Sequence, residues 1–142
     1  MAERLMAHAL DGANPPLRQL RVTSAGISAM PGQPASENAG VALRKVGLSL
    51  DNFRSKPFDQ RLLDQSLVIF CMTESHRSMI ELHFQNPGTP IHLVREFMEG
   101  EDIQIPDPYG MDIRAYEATR DSIVEAVPSL IRHLESRLGH TG

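Results

Sequence analysis

The sequence has 142 residues, of which 41% are hydrophobic and 23% charged, a composition typical of one soluble globular domain. A net charge of −4 excludes the broad basic surface by which proteins bind nucleic acid or an anionic membrane. The length predicts one domain over residues 1–142. A single cysteine excludes an internal disulfide, so we expect the protein in a reducing cytoplasm.

The N-terminal half alternates predicted helices with one predicted strand. The apolar residues of Ala2–Leu10 recur at helical spacing and predict a first helix. Leu20–Gly26 alternates apolar and polar residues and then ends in glycine, which predicts a strand. Pro34–Val46 predicts a second helix, because proline and an acidic residue open it and glycine follows it. Asp59–Gln65 predicts a short third helix.

The C-terminal half continues the alternation. The apolar run Ser66–Met72 predicts a strand buried on both faces, and it is far too short to cross a bilayer. A helix from Thr73 to about Gln85 and a strand over Ile91–Phe97 follow. From Asp112 onward the apolar spacing predicts a long amphipathic helix, which Pro128 is expected to kink or split.

This order of elements predicts an α/β fold with a parallel sheet, in which ligands bind beyond the carboxyl ends of the strands. Ser24, Thr73 and the loop that holds Asp107 all follow predicted strands and so lie at that edge. Prolines on both sides hold Asp107 on a stiff loop, which suits a carboxylate that transfers protons. A plain proline-rich surface turn is the alternative interpretation.

Other polar and reactive side chains favour structural roles. Cys71 lies inside the apolar run, where burial makes a thiol a small hydrophobe with a raised pKa. Tyr116 lies on the apolar stripe of the long helix and is predicted to pack in the core. The stretch Glu99–Asp102 is predicted to be a solvated acidic turn. The histidines show no convincing metal spacing, and we expect solvated or capping roles for them and no metal site: His8, His76, His83, His92, His133 and His140.

Several stretches, in the right order, resemble the low-molecular-weight protein-tyrosine-phosphatase family. They are Val22–Gly26, Cys71–His76 and Asp107-Pro108-Tyr109. Met1–Leu5 looks like the start of that family's first helix, and Met111–Glu125 is similar to its bacterial branch, which includes protein-arginine phosphatases. The resemblance implies a three-layer αβα sandwich with a four-stranded parallel sheet in the order 2-1-3-4.

The resemblance also implies a chemistry. The protein would be a phosphoprotein phosphatase that acts on phosphotyrosine or phosphoarginine through a phosphocysteine intermediate, without a cofactor. Asp107 matches the family's general acid and base, and Tyr109 matches an aromatic wall of the pocket. Ser24 matches a hydroxyl that supports the phosphate loop, and Asn52 stands where the family often has a histidine that supports the site from behind the residues that touch the phosphate.

The family's nucleophile lies in a Cys-x-x-x-x-x-Arg-Ser loop directly before the first helix, and this sequence starts at Met1 of that helix. We therefore expect an N-terminally incomplete domain, without the central strand, the nucleophile or the phosphate-binding arginine, and inactive as it stands. One hypothesis is an enzyme with a misplaced start. It agrees with the unfavourable positive charge of the Met1 α-amino group at a helix N-terminus. The other is a non-catalytic interaction module whose open sheet edge pairs with a partner strand or a second copy.

Overall fold

A computed structural model describes residues 1–27, 32–100 and 102–139. His140 and Glu101 of the predicted acidic turn lie outside them. The structure is α/β, as the sequence predicts. Its elements are α1 (Ala2–Asp11), a 3-10 turn (Leu17–Gln19), α2 (Glu37–Arg44), α3 (Gln60–Gln65), β1 (Ile69–Cys71), α4 (Glu74–His83), β2 (Ile91–Leu93) and α5 (Ile113–Gly139). In these ranges no helix is long and apolar enough to cross a membrane.

The parallel strands β1 and β2 lie between two layers of helices. Ile69 pairs with Ile91, and Cys71 pairs with Leu93. On one face of β1, Cys71 packs with core residues of α3 and α4. On the other face, Phe70 packs against the core that α1 and α5 share. Side chains of a strand alternate between its faces, so this short sheet joins both halves of the core.

The predicted strand over Leu20–Gly26 is wrong. Its last residue, Gly26, forms an isolated parallel bridge with Pro57. Within the described ranges, the backbone groups of residues 21–25 form no hydrogen bond with another backbone group. A strand is defined by its neighbour, and no second strand lies beside this segment in that part of the chain.

Within the described ranges, β1 has no partner strand on the edge that faces away from β2. The Ile69 N–H donates to the Pro90 carbonyl at 3.0 Å, and the Val94 N–H donates to the Cys71 carbonyl at 2.9 Å. Alternate residues of a strand direct their peptide groups to opposite edges, so those of Phe70 face away from β2. The strands predicted over Ser66–Met72 and Ile91–Phe97 are both shorter than expected: β1 covers Ile69–Cys71, and β2 ends at Leu93, where the chain turns.

Side-chain caps set the helix starts. Ser36, Asp59 and Thr73 each accept a hydrogen bond from the backbone N–H three residues further on. The second helix therefore starts at Glu37, later than predicted. Of the kink or split expected at Pro128, the split does not occur: α5 runs as one helix over Ile113–Gly139. Its buried face continues on both sides of the proline, with Ile123, Ala126, Leu130 and Leu134 in the core.

Candidate active site

The loop that carries Asp107 is attached to the carboxyl end of β1. Ile105 is 2% exposed, and its N–H donates to the Met72 carbonyl at 2.9 Å. Beside it, Gln104 Oε1 accepts a hydrogen bond of 3.1 Å from the Glu74 N–H, at the first residue of α4. The loop and the start of α4 thus lie together at the sheet edge where parallel topology places ligand sites.

Asp107 lies at the exposed tip of this loop. Its Oδ1 accepts a hydrogen bond of 3.0 Å from the Tyr109 N–H, and the Met111 N–H donates to the Pro108 carbonyl at 2.9 Å. Gly110 closes the turn with a φ of 81°, a conformation that favours glycine. These bonds hold the carboxyl group of this exposed residue through Oδ1, and within the described ranges Oδ2 has no hydrogen bond. The geometry is that of an exposed turn, and it also fits a proton donor.

An open cleft of about 360 Å³ lies between this loop and the N-terminus of α2. Tyr109 is 80% exposed and forms one wall, while the buried Tyr116 reaches it from α5. Asn38 Nδ2 donates to the Met111 carbonyl at 3.4 Å, which joins the two sides. The burial of Tyr116 confirms its predicted place in the core, and its contact with the cleft adds a second role that the apolar stripe did not indicate.

Ser24 and Asn52 lie apart from the Asp107 loop in the hydrogen-bond network. Ser24 is half-buried, and its Oγ donates to Glu3 Oε1 of α1 at 3.0 Å. Asn52 is exposed in a turn with a φ of 65°. Across the described ranges, no hydrogen bond joins either side chain to the Asp107 loop. Their support of a phosphate loop stays a prediction.

Cys71, Arg77 and Ser78 have the spacing Cys-x-x-x-x-x-Arg-Ser, a match that the sequence prediction overlooked. The structure shows no phosphate cradle there. Cys71 ends β1, and α4 starts at Glu74, so strand and helix occupy the span that a cradle would need. Arg77 forms ion pairs with Glu74 and, at 3.2 Å, with Glu96. Burial raises the pKa of the Cys71 thiol to about 11, as expected for a structural cysteine.

The expectation of solvated or capping roles is wrong for two histidines. His92 Nδ1 lies 2.7 Å from Glu96 Oε2, and the His133 ring stacks on Phe97 with centroids 4.1 Å apart. His133 Nε2 is buried and has no hydrogen-bond partner among the described residues. Burial, together with the nearby His92 and Arg137, lowers the pKa of His133. Within the described ranges, no group of three or more acidic, histidine or cysteine side chains could hold a metal.

Residues 1–139 match the sequence profile of the family described as low molecular weight phosphotyrosine protein phosphatase. The chain belongs to this family. The resemblance seen in the sequence is thereby confirmed. The relatives of this family that match the chain are protein phosphatases.

The chain is similar both to arginine phosphatases and to tyrosine phosphatases. It is 29% identical to a protein-arginine-phosphatase of Geobacillus stearothermophilus, over 87% of this chain and 82% of that protein. It is 30% identical to the low molecular weight protein-tyrosine-phosphatase Ptp of Acinetobacter johnsonii, over 82% of this chain and 80% of that one.

Solved structures agree with the fold. The YwlE arginine phosphatase from Geobacillus stearothermophilus superposes with a TM-score of 0.82 at 26% identity, covering 99% of this chain and 87% of that chain. A Cys-to-Ser mutant of YwlE with a phosphorylated active site serine superposes with a TM-score of 0.81 at 27% identity, covering 94% of this chain and 86% of that chain. The α/β fold predicted from the sequence is that of these phosphatases.

Proposed function

We propose that this protein is a phosphoprotein phosphatase that works through a phosphocysteine, with Asp107 as its general acid and base. The observation that carries the proposal is the Asp107 loop. It is held against the carboxyl end of β1 by the Ile105 N–H, and it presents a carboxyl group with one bonded and one open oxygen. A proton donor must stay within hydrogen-bond reach of the leaving atom, and a stiff loop at a sheet edge meets that need.

The proposed reaction has two steps. A cysteine thiolate attacks phosphorus, the bond to the leaving oxygen or nitrogen breaks, and Asp107 donates a proton to that atom. Asp107 then takes a proton from the water that attacks the phosphocysteine, which releases inorganic phosphate and the free thiolate. The phosphorylated active site serine of the YwlE mutant supports phosphoryl transfer to a side chain as the first step.

We place the nucleophile and the phosphate-binding arginine outside these 142 residues. The single cysteine of the sequence, Cys71, is buried in β1 with a raised pKa, and Arg77 already pairs with two carboxylates. The Ser24 hydroxyl donates its hydrogen bond to Glu3, and its oxygen can still accept a hydrogen bond from an added loop. Asn52 can donate and accept hydrogen bonds but cannot carry charge.

The cleft beside Tyr109, two residues after Asp107, would hold the group that carries the phosphate. Tyr109 offers a large exposed ring, against which either a phenol ring or a guanidinium can stack. Glu37, an exposed acidic residue on the opposite rim, favours substrates with a cationic neighbour. Phosphotyrosine and phosphoarginine are both candidate substrates, since relatives of both kinds match this chain.

The test is a chain extended at its N-terminus by the family's first strand and Cys-x-x-x-x-x-Arg loop, assayed on aryl phosphates and on phosphoarginine. We expect turnover. We expect Asp107→Asn to lower kcat by about 10²–10⁴-fold for substrates with poor leaving groups and by less for good ones.

Asp112→Asn is the matched control, because Asp112 lies five residues away and caps α5 through a bond of 3.1 Å to the Ala115 N–H. An asparagine keeps that cap, so turnover should stay unchanged. An inactive extended chain, or an Asp107→Asn variant with full activity on poor leaving groups, would refute the proposal.

A second function rests on a different observation: within the described ranges, neither the outer edge of β1 nor segment 21–25 is paired with a strand. An added strand from another protein or a second copy could pair with these free peptide groups and so stabilise the fold. In this alternative the chain is a non-catalytic interaction module. Size-exclusion chromatography tests it, and a stable monomer at all concentrations would contradict self-pairing.

A further inference from the structure

We propose that Gln104 is a positioning residue that clamps the Asp107 loop to the N-terminus of α4. The inference rests on the proposed role of Asp107 as the proton donor. Gln104 itself lies three residues before Asp107, so it would act through the loop and not on the substrate.

The clamp uses a helix end. The Glu74 N–H belongs to the first turn of α4, where backbone amides have no partner within the helix. Thr73 Oγ1 accepts a hydrogen bond of 3.3 Å from the His76 N–H, and Gln104 Oε1 accepts one of 3.1 Å from the Glu74 N–H. The partial positive charge of a helix N-terminus strengthens a bond to such an oxygen.

The base of the clamp is held firmly. Glu74 pairs with Arg77, and Arg77 also pairs with Glu96 at 3.2 Å. Glu96 Oε1 in turn accepts a hydrogen bond of 3.2 Å from the Leu93 N–H of β2. The helix end that Gln104 grips is therefore connected to the sheet.

The link from the clamp to the carboxyl group is short and stiff. Only Ile105 and Pro106 separate Gln104 from Asp107. Ile105 is 2% exposed and bonded to the Met72 carbonyl, and the pyrrolidine ring of Pro106 fixes its φ. Pro108 restricts Asp107 itself. A shift of Gln104 would therefore be passed to the Asp107 carboxyl group with little loss.

Two variants separate the hydrogen bond from packing. Gln104→Met keeps the length of the side chain without the accepting oxygen, and Gln104→Glu keeps an accepting oxygen. Amide hydrogen exchange on the 142-residue chain needs no activity. We expect the Glu74 and Tyr109 amides to exchange about five- to tenfold faster in Gln104→Met, the worth of about one hydrogen bond. They should remain near wild type in Gln104→Glu. The Val94 amide, bonded to Cys71, should not change and reports on global opening. Unchanged Tyr109 exchange, or an equal rise at Val94, would overturn the clamp.

The extended chain then reports on catalysis. We expect Gln104→Met to lower kcat most for poor leaving groups with KM nearly unchanged, and to cause no further loss in an Asp107→Asn background. Equal losses for all leaving groups, or additive losses in the double variant, would overturn the positioning role. If the extended chain has no activity, the proposed function fails, while the exchange rates still decide whether the clamp exists.

Discussion

Two leucines show how far the surroundings of a residue set its contribution to stability. Leu63 of α3 is fully buried and packs with Cys71, Ile80 and Leu93, whereas Leu82 of α4 is 80% exposed. We expect Leu63→Ala to lower the free energy of unfolding by about 2–5 kcal/mol, because it leaves a cavity. Leu82→Ala, the matched control, should change it by less than about 0.5 kcal/mol. Urea unfolding measures both, and similar values for the two variants would contradict the observed packing.

His133 makes stability depend on pH. Its folded-state pKa is lowered by burial and by nearby His92 and Arg137, so the unfolded chain binds the proton more tightly. Stability is therefore fully present above the ordinary histidine pKa of about 6.5 and is lost as pH falls below it. The two pH values to compare, about 7.5 and about 5.5, bracket that pKa. We expect the free energy of unfolding, measured in urea, to be lower at the acidic pH, and to fall less in His133→Phe.

Two further groups face His133, and an exposed histidine provides the control. Glu96 acts against the lowering of the His133 pKa, and Phe97 stacks on its ring. The control is His83→Gln, since His83 is exposed at the end of α4, and it should keep the wild-type dependence. Equal pH dependence in His133→Phe and the wild type would show that this ring is not the group that titrates.

At the scale of elements, α5 contains a proline without being divided by it. Pro128 is exposed and has no N–H to donate to the carbonyl four residues earlier, so one helical bond is missing. We expect Pro128→Ala to raise the free energy of unfolding by about 1–3 kcal/mol, measured by urea unfolding. Glu135→Ala, also exposed in α5, controls for surface substitution in this helix. A lower stability for Pro128→Ala would mean that the ring contributes packing or restricts the unfolded chain.

At the scale of the whole molecule, the proposed mechanism assigns the proton donor to the 142 residues but not the nucleophile. We expect this chain to hydrolyse an aryl phosphate no faster than background. General acid catalysis supplies about 10²–10⁴-fold, whereas phosphatases need up to about 10²¹-fold. Cys71→Ser should leave this result unchanged, because the thiol is buried. Release of inorganic phosphate is the measurement, and activity that disappears in Cys71→Ser would place the nucleophile in β1.

Much of the fold follows from local features of the sequence. The caps of α3 and α4 are Asp59 and Thr73, side chains that bond to an amide three residues away and need no distant partner. The helical spacing of apolar residues located α1, and the apolar run located β1. The Asp-Pro-Tyr stretch and its ordered neighbours identified the family. The order of strands and helices then placed Thr73 and the Asp107 loop at one sheet edge.

Tertiary structure decided the features that depend on residues distant in the sequence. The segment 20–26 alternates like a strand, yet no strand lies beside it in the described ranges, and pairing cannot be read from one segment alone. His133 of α5 meets Phe97 only because the folded chain brings this helix to the segment that follows β2. Gln104 meets the start of α4 only because the chain returns to the end of β1. Local propensity is determined by neighbours in sequence, whereas these contacts form only when the whole chain folds.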